Sequence, residues 1–121
     1  MLKAKSVAEY FLSKDQKREL FNKNIVIYND RKSYEGNVRL NKYLFLAQVV
    51  YMAKFNSKLF SDNFRAYDNG PVIETIMNSY SRLSGKENKD ILNEDTRRFL
   101  DKIYLSLENE RKKNKSHPLD M

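Results

Sequence analysis

A chain of 121 residues suffices for one domain with a modest core, and its 23 basic against 16 acidic side chains give a formal net charge of +7. It contains no cysteine, which excludes disulfides, thiol nucleophiles and cysteine-held metal sites and suits a reducing cytoplasm. No stretch reaches transmembrane length, and Met1–Asp15 lacks the apolar run of a signal peptide, so no membrane association is expected. The positive excess is spread, at +3, +3 and +1 over residues 1–38, 39–85 and 86–121. Nucleic-acid binders more often gather it into a stripe.

In chain order, Ser6 with Glu9 three residues on reads as a capping box that opens a short amphipathic helix through Val7, Ala8, Phe11 and Leu12. Leu20 and Phe21 form a second apolar anchor. Ile25–Tyr28 is β-branched and aromatic, Asn29-Asp30 is a turn signal, and Ser33-Tyr34-Glu35 reads as a return strand closing at Gly36-Asn37. Together these predict a β-hairpin over about residues 24–38. A lone hairpin is barely stable, so it must pack on the helices or on a partner.

Leu40–Phe55 is the densest apolar run and predicts a central helix, with Leu40, Tyr43, Leu44, Ala47, Val50 and Tyr51 at helical spacing. Phe45, Leu46, Val49, Met52 and Ala53 fill most of its other side, as in a helix surrounded by others. Gln48 interrupts the run. It either bonds a loop backbone, as buried polar groups do, or faces a partner. Phe60 and Phe64 are expected to plug the core beneath the following connection. In Tyr67-Asp68-Asn69-Gly70-Pro71, Gly70 frees the backbone and Pro71 suits a helix start. A helix is expected from Val72 to Leu83, capped by Gly85. After a polar linker, Lys86–Asp90, Asn93 is a good N-cap for a last helix carrying Phe99, Leu100, Ile103, Tyr104 and Leu107. The sequence therefore predicts a mainly α domain of four or five helices with one small β-hairpin over residues 1–110. A polar, basic tail over 111–121 is expected to fray.

Nothing in the chain reads as catalysis. His117, the one histidine, stands in the tail away from any triad or metal-ligand array, and the three glycines are too scattered to cradle a phosphate. No enzyme activity, cofactor or metal is expected, which leaves binding. Eight tyrosines support that reading, because tyrosine is favoured at interface anchors. Tyr43 and Tyr51 are expected mainly to pack in the core. The candidate partner surface is the Tyr67–Pro71 turn (Tyr67, Asp68, Asn69, Gly70 and Pro71) with Gln48 and Tyr51 from the central helix. The hairpin tyrosines Tyr28 and Tyr34 are the other place for it. Arg111, Lys112, Lys113 and Lys115 are the candidate nucleic-acid contacts, set against their plainer role as a solvated helix end.

"LNKYLFLAQ" followed by "FRAYDNGPVIETI" resembles the SocA-like, or Panacea, antitoxin domain family, in which an "LxKLLYLAQ"-type helix precedes an "aWxxGPVxxxV"-type turn and helix. "VAEYFLSK" at Val7–Lys14 is similar to that family's opening helix. The family's turn tryptophan is Tyr67 here, and of its C-terminal segment only Ser116-His117-Pro118 is similar. The resemblance implies an antitoxin of a bacterial or phage toxin–antitoxin pair. Such a protein neutralises a cognate toxin by direct contact in the cytoplasm, in some members as an adaptor to a host protease. The alternative is a counter-defence protein of a phage or mobile element, such as an anti-CRISPR, or a nucleic-acid-associated protein. It would use the basic surface to engage a host enzyme or nucleic acid.

Overall fold

A computed structural model describes residues 1–28, 30–67, 70–86 and 91–116, with the side chains of Tyr28, Lys115 and Ser116 set aside. The elements are α1 (Ala4–Ser13), β1 (Ile25–Tyr28), β2 (Arg31–Tyr34), α2 (Glu35–Phe55), β3 (Arg65–Tyr67), β4 (Gly70–Val72), α3 (Glu74–Ser79), a 3₁₀ turn (Tyr80–Arg82) and α4 (Glu94–Ser116). The protein is mainly α, with two small antiparallel strand pairs, β1–β2 and β3–β4. The first pair is the hairpin expected from the sequence, but its return strand ends at Tyr34, and Gly36-Asn37 already belong to α2.

The helix α2 is the organising element, and at 21 residues it starts five residues before the apolar run does. One side buries Leu40, Tyr43, Leu44 and Ala47 against α1, α3 and α4. Phe11, Phe21 and Tyr104 surround the Tyr43 ring at centroid distances of 5.8, 5.3 and 6.0 Å. The Tyr43 hydroxyl donates to Glu108 Oε2 at 2.8 Å. Burial and that carboxylate both push the phenol up, since each disfavours a phenolate. The opposite side of α2 is open, contrary to the surrounded helix that the sequence suggested. Phe45, Val49 and Met52 are 39%, 44% and 45% exposed. Phe64 leans on this face, edge-on to Phe45 at 5.3 Å, while Leu59 and Phe60 fill the core beside it.

Helix α1 corrects the capping-box reading. It begins at Ala4, and the Ala4 N–H donates to Asp62 Oδ1 at 2.8 Å, so a distant loop caps the helix instead of Ser6. That frees Glu9 for a different task. Its buried carboxylate accepts from the N–H groups of Ser84, Gly85 and Lys86 at 3.1, 2.7 and 3.0 Å, and from the Ser84 hydroxyl at 3.1 Å. Gly85 does take a positive φ of 76°, but its N–H goes to Glu9 and the helix before it has already ended through a 3₁₀ turn. Hydrogen bonds to charged groups each contribute about 1.5–3 kcal/mol, and leaving the donors unmet costs more. Because Ser84 and Lys86 are exposed and water can meet most of the freed donors, Glu9→Ala is expected to lose only about 2–3 kcal/mol in urea unfolding, with Glu9→Gln recovering part of it. Equal stability of all three proteins would show that water replaces the carboxylate.

Helix α4 opens as expected, with the Thr96 N–H donating to Asn93 Oδ1 at 2.8 Å. It buries Phe99, Leu100 and Ile103. It also runs past Glu110 to Ser116, where fraying was expected. Arg111 donates to both oxygens of Glu108 at 3.2 and 3.1 Å, and cations in a last turn suit the negative helix end. His117 lies outside the described residues.

Candidate functional site: a groove between two hairpins

The segment after Phe64 departs most from its sequence reading. Pro71 does not start a helix. It lies in β4 opposite Ala66, and Gly70, at a φ of 131°, pairs with Tyr67. Bonded and non-bonded pairs alternate along an antiparallel ladder. With the closing pair at Tyr67–Gly70 bonded, Ala66–Pro71 is a non-bonded pair, where proline's missing N–H costs the hairpin nothing. Helix α3 then begins at Glu74 and is one and a half turns long.

Two buried asparagines, one turn apart on α2, hold this segment. The Ile73 N–H donates to Asn41 Oδ1 at 2.9 Å, ahead of α3. Asn37 Nδ2 donates to the Met77 carbonyl at 3.0 Å, and Asn41 Nδ2 donates to the Asn37 carbonyl at 3.0 Å. A buried amide that meets backbone groups in this way sets the position of the chain it bonds. The sequence carried no mark of it beyond two polar residues at helical spacing near an apolar run.

The result is a groove of about 630 Å³ between the two hairpins. One wall is the whole of β2, Arg31 to Tyr34. The other is Tyr67, Val72, Glu74, Met77 and Asn78, with Asn37 beneath. Tyr67 is 37% exposed, and its hydroxyl donates to Glu74 Oε1 at 2.7 Å. Arg65 Nη1 reaches the same oxygen at 2.7 Å. The hydrogen bond to Glu74 holds the Tyr67 phenol above its ordinary value. Tyr34, across the groove, leans on Tyr80 with ring centroids 5.9 Å apart.

Of the residues singled out in the sequence, the groove gathers Tyr67 and Tyr34, with Gly70 and Pro71 in the strand behind. Gln48 is not there. It is 4% exposed, its Nε2 donates to the Phe60 carbonyl at 2.9 Å, and its Oε1 accepts from the N–H groups of Leu59 and Phe60 at 2.9 and 3.3 Å. It pins the loop after α2 and lies outside the groove. Tyr51 is also turned away, its ring 4.6 Å from Phe55 and 5.3 Å from Phe99. Asp68 and Asn69 lie outside the described residues, as does the side chain of Tyr28. Arg111, Lys112 and Lys113 sit in the last turns of α4, where Arg111 is tied to Glu108, and the Lys115 side chain is not described. The sequence missed Arg31, Lys32, Ser33, Glu74, Met77 and Asn78 as groove residues. Among the described residues no three acidic or histidine side chains converge as a metal site, and no helix is long and apolar enough to cross a membrane.

The model of the SocA-like antitoxin, Panacea domain family matches residues 40–119. The chain belongs to that family. No curated protein and no solved structure matches it. The matched span begins inside α2, so it contains the β4–α3 wall of the groove, while β2, the opposite wall, precedes it.

Proposed function

We propose that this protein is the antitoxin of a toxin–antitoxin pair, and that it neutralises its cognate toxin by direct, non-catalytic contact in the cytoplasm through the groove between the hairpins. The observation that carries this reading is membership of the SocA-like antitoxin family over residues 40–119. The groove supports it physically. Its walls hold two tyrosines, large amphipathic side chains with few rotamers to lose on binding, on backbone fixed by buried asparagines. A net charge of +7 suits an acidic toxin surface and speeds its capture.

The test is co-expression with the neighbouring reading frame. That frame alone should arrest growth, and this protein should restore it. Tyr67→Ala should fold normally, because the ring is part-exposed at a strand end, and should weaken the complex about tenfold or more, about 1.4 kcal/mol. A harmless neighbour, or a toxic one that is not rescued, ends the antitoxin reading. Full rescue and unchanged affinity with Tyr67→Ala would move the interface off the groove.

A further inference from the structure

We propose that the groove takes its partner as an added β-strand: a short, extended, acidic segment that pairs with the free edge of β2. The inference rests on the antitoxin reading only for the identity of the partner, since the edge is a property of this chain.

Side chains of a strand alternate between two faces, so four consecutive residues can line one groove only if the strand presents its edge to it. Arg31, Lys32, Ser33 and Tyr34 all line this one. The sheet has two strands, with β1 on one side of β2 and no third strand on the other among the described residues. The ladder's phase identifies which groups are free. Glu35 N–H donates to the Asn24 carbonyl at 2.7 Å, which makes that a bonded pair. By alternation Val26–Ser33 and Tyr28–Arg31 are bonded, and Ile25–Tyr34 and Ile27–Lys32 are not. The N–H and C=O of Lys32 and the N–H of Tyr34 therefore point away from β1, towards the groove. Unpaired edges of this kind are the template for strand addition, in which main-chain bonds supply affinity and flanking side chains supply selectivity.

Charge selects the occupant. Arg31 and Lys32 are exposed on the wall and make no ion pair among the described residues. Among the described residues the groove's one carboxylate is Glu74, and it is already held by Arg65 and Tyr67. An incoming acidic strand meets two free cations, whereas a basic one would compete for Glu74. The Tyr34 ring, Val72 and Met77 offer apolar contact between the charges. The four residues of β2 span about 13 Å, which matches a segment of four to six residues.

The test uses the full chain and a capped hexapeptide alternating glutamate with valine, followed by amide exchange and titration. Binding should slow exchange of the Lys32 and Tyr34 amides about tenfold or more, and a lysine–valine peptide should bind about tenfold more weakly. Lys32→Pro removes an outward N–H without breaking a bond to β1, and should cost about tenfold beyond what Lys32→Ala costs by charge alone. Equal effects of Lys32→Pro and Lys32→Ala, Lys32 and Tyr34 amides that stay unprotected in the unsubstituted chain with the peptide bound, or equal binding of the lysine peptide would each overturn strand addition. The exchange measurement decides the matter even if the proline variant misfolds. With the toxin, unimpaired rescue by Lys32→Pro overturns the edge and leaves the antitoxin reading standing. Peptide binding as described without any toxin rescue does the reverse.

Discussion

Gly36→Ala is expected to destabilise the protein by about 3 kcal/mol, although it places the better helix former in the first turn of α2. Propensity alone favours alanine there by about 1 kcal/mol. Packing opposes it. A Cβ on Gly36 would run into the backbone nitrogen of Asn22, the carbonyl carbon of Phe21 and the hydroxyl of Tyr80. Two of these three obstacles are backbone, and the Phe21 side chain is fully buried, so they cannot swing aside. Overpacking of this kind costs about 1–3 kcal/mol and occasionally more. Moving the Tyr80 hydroxyl also endangers its 3.0 Å bond to the Asn22 carbonyl, about another 1 kcal/mol. A loss of that size is a large part of a typical stability of about 5–15 kcal/mol. Urea unfolding measures it. An increase of about 1 kcal/mol would mean that propensity wins and that the contact of α2 with the loop is loose.

The glycine shows what kind of information a sequence holds back. Glycine in a helix start has no local explanation here, because its reason is a loop fourteen residues earlier and a tyrosine forty-four residues later. The same holds for Glu9. Three residues after Ser6 it has the local signature of a capping box, yet its partners are Ser84, Gly85 and Lys86. By contrast, β1 and β2, the Asn93 cap and the body of α2 were legible, since each follows from period, branching or capping within one stretch. The bonding of Gln48 to a loop backbone was also within reach, because a buried amide must find partners. The β3–β4 hairpin was not. Strands of three residues carry too little alternation, and Gly-Pro followed by apolar residues reads equally as a helix entry.

The candidate groove was legible in pieces only. Tyr67 and Tyr34 were each marked as candidates, but nothing local says that they face one groove, since they stand thirty-three positions apart in sequence. What brings them together is the pair Asn37 and Asn41, which ties α3 to α2 directly after β2 ends. The family match adds a division along the same line. The β4–α3 wall lies within residues 40–119, and the wall carrying Arg31 and Lys32 lies before it.

Leu44→Ala should cost about 3–5 kcal/mol, while Leu46→Ala, two residues on, should cost about 1 kcal/mol. The sequence treats the two as equal members of one apolar run. The structure separates them: Leu44 is fully buried in the core, whereas Leu46 is only half-buried at its margin. Removing a side chain from a close-packed site loses its transfer free energy and leaves a cavity that its neighbours only partly close. At the margin, water and neighbouring side chains fill the gap. Met52→Ala, on the open face, should change stability by no more than about 0.5 kcal/mol. Thermal or urea unfolding of the three variants reads the burial of α2 one face at a time. A similar loss at Leu44 and Met52 would mean that the open face of the helix is covered in solution. A small loss at Leu44 would remove α2 from the centre of the fold and, with it, the asparagine clamp that holds the groove open.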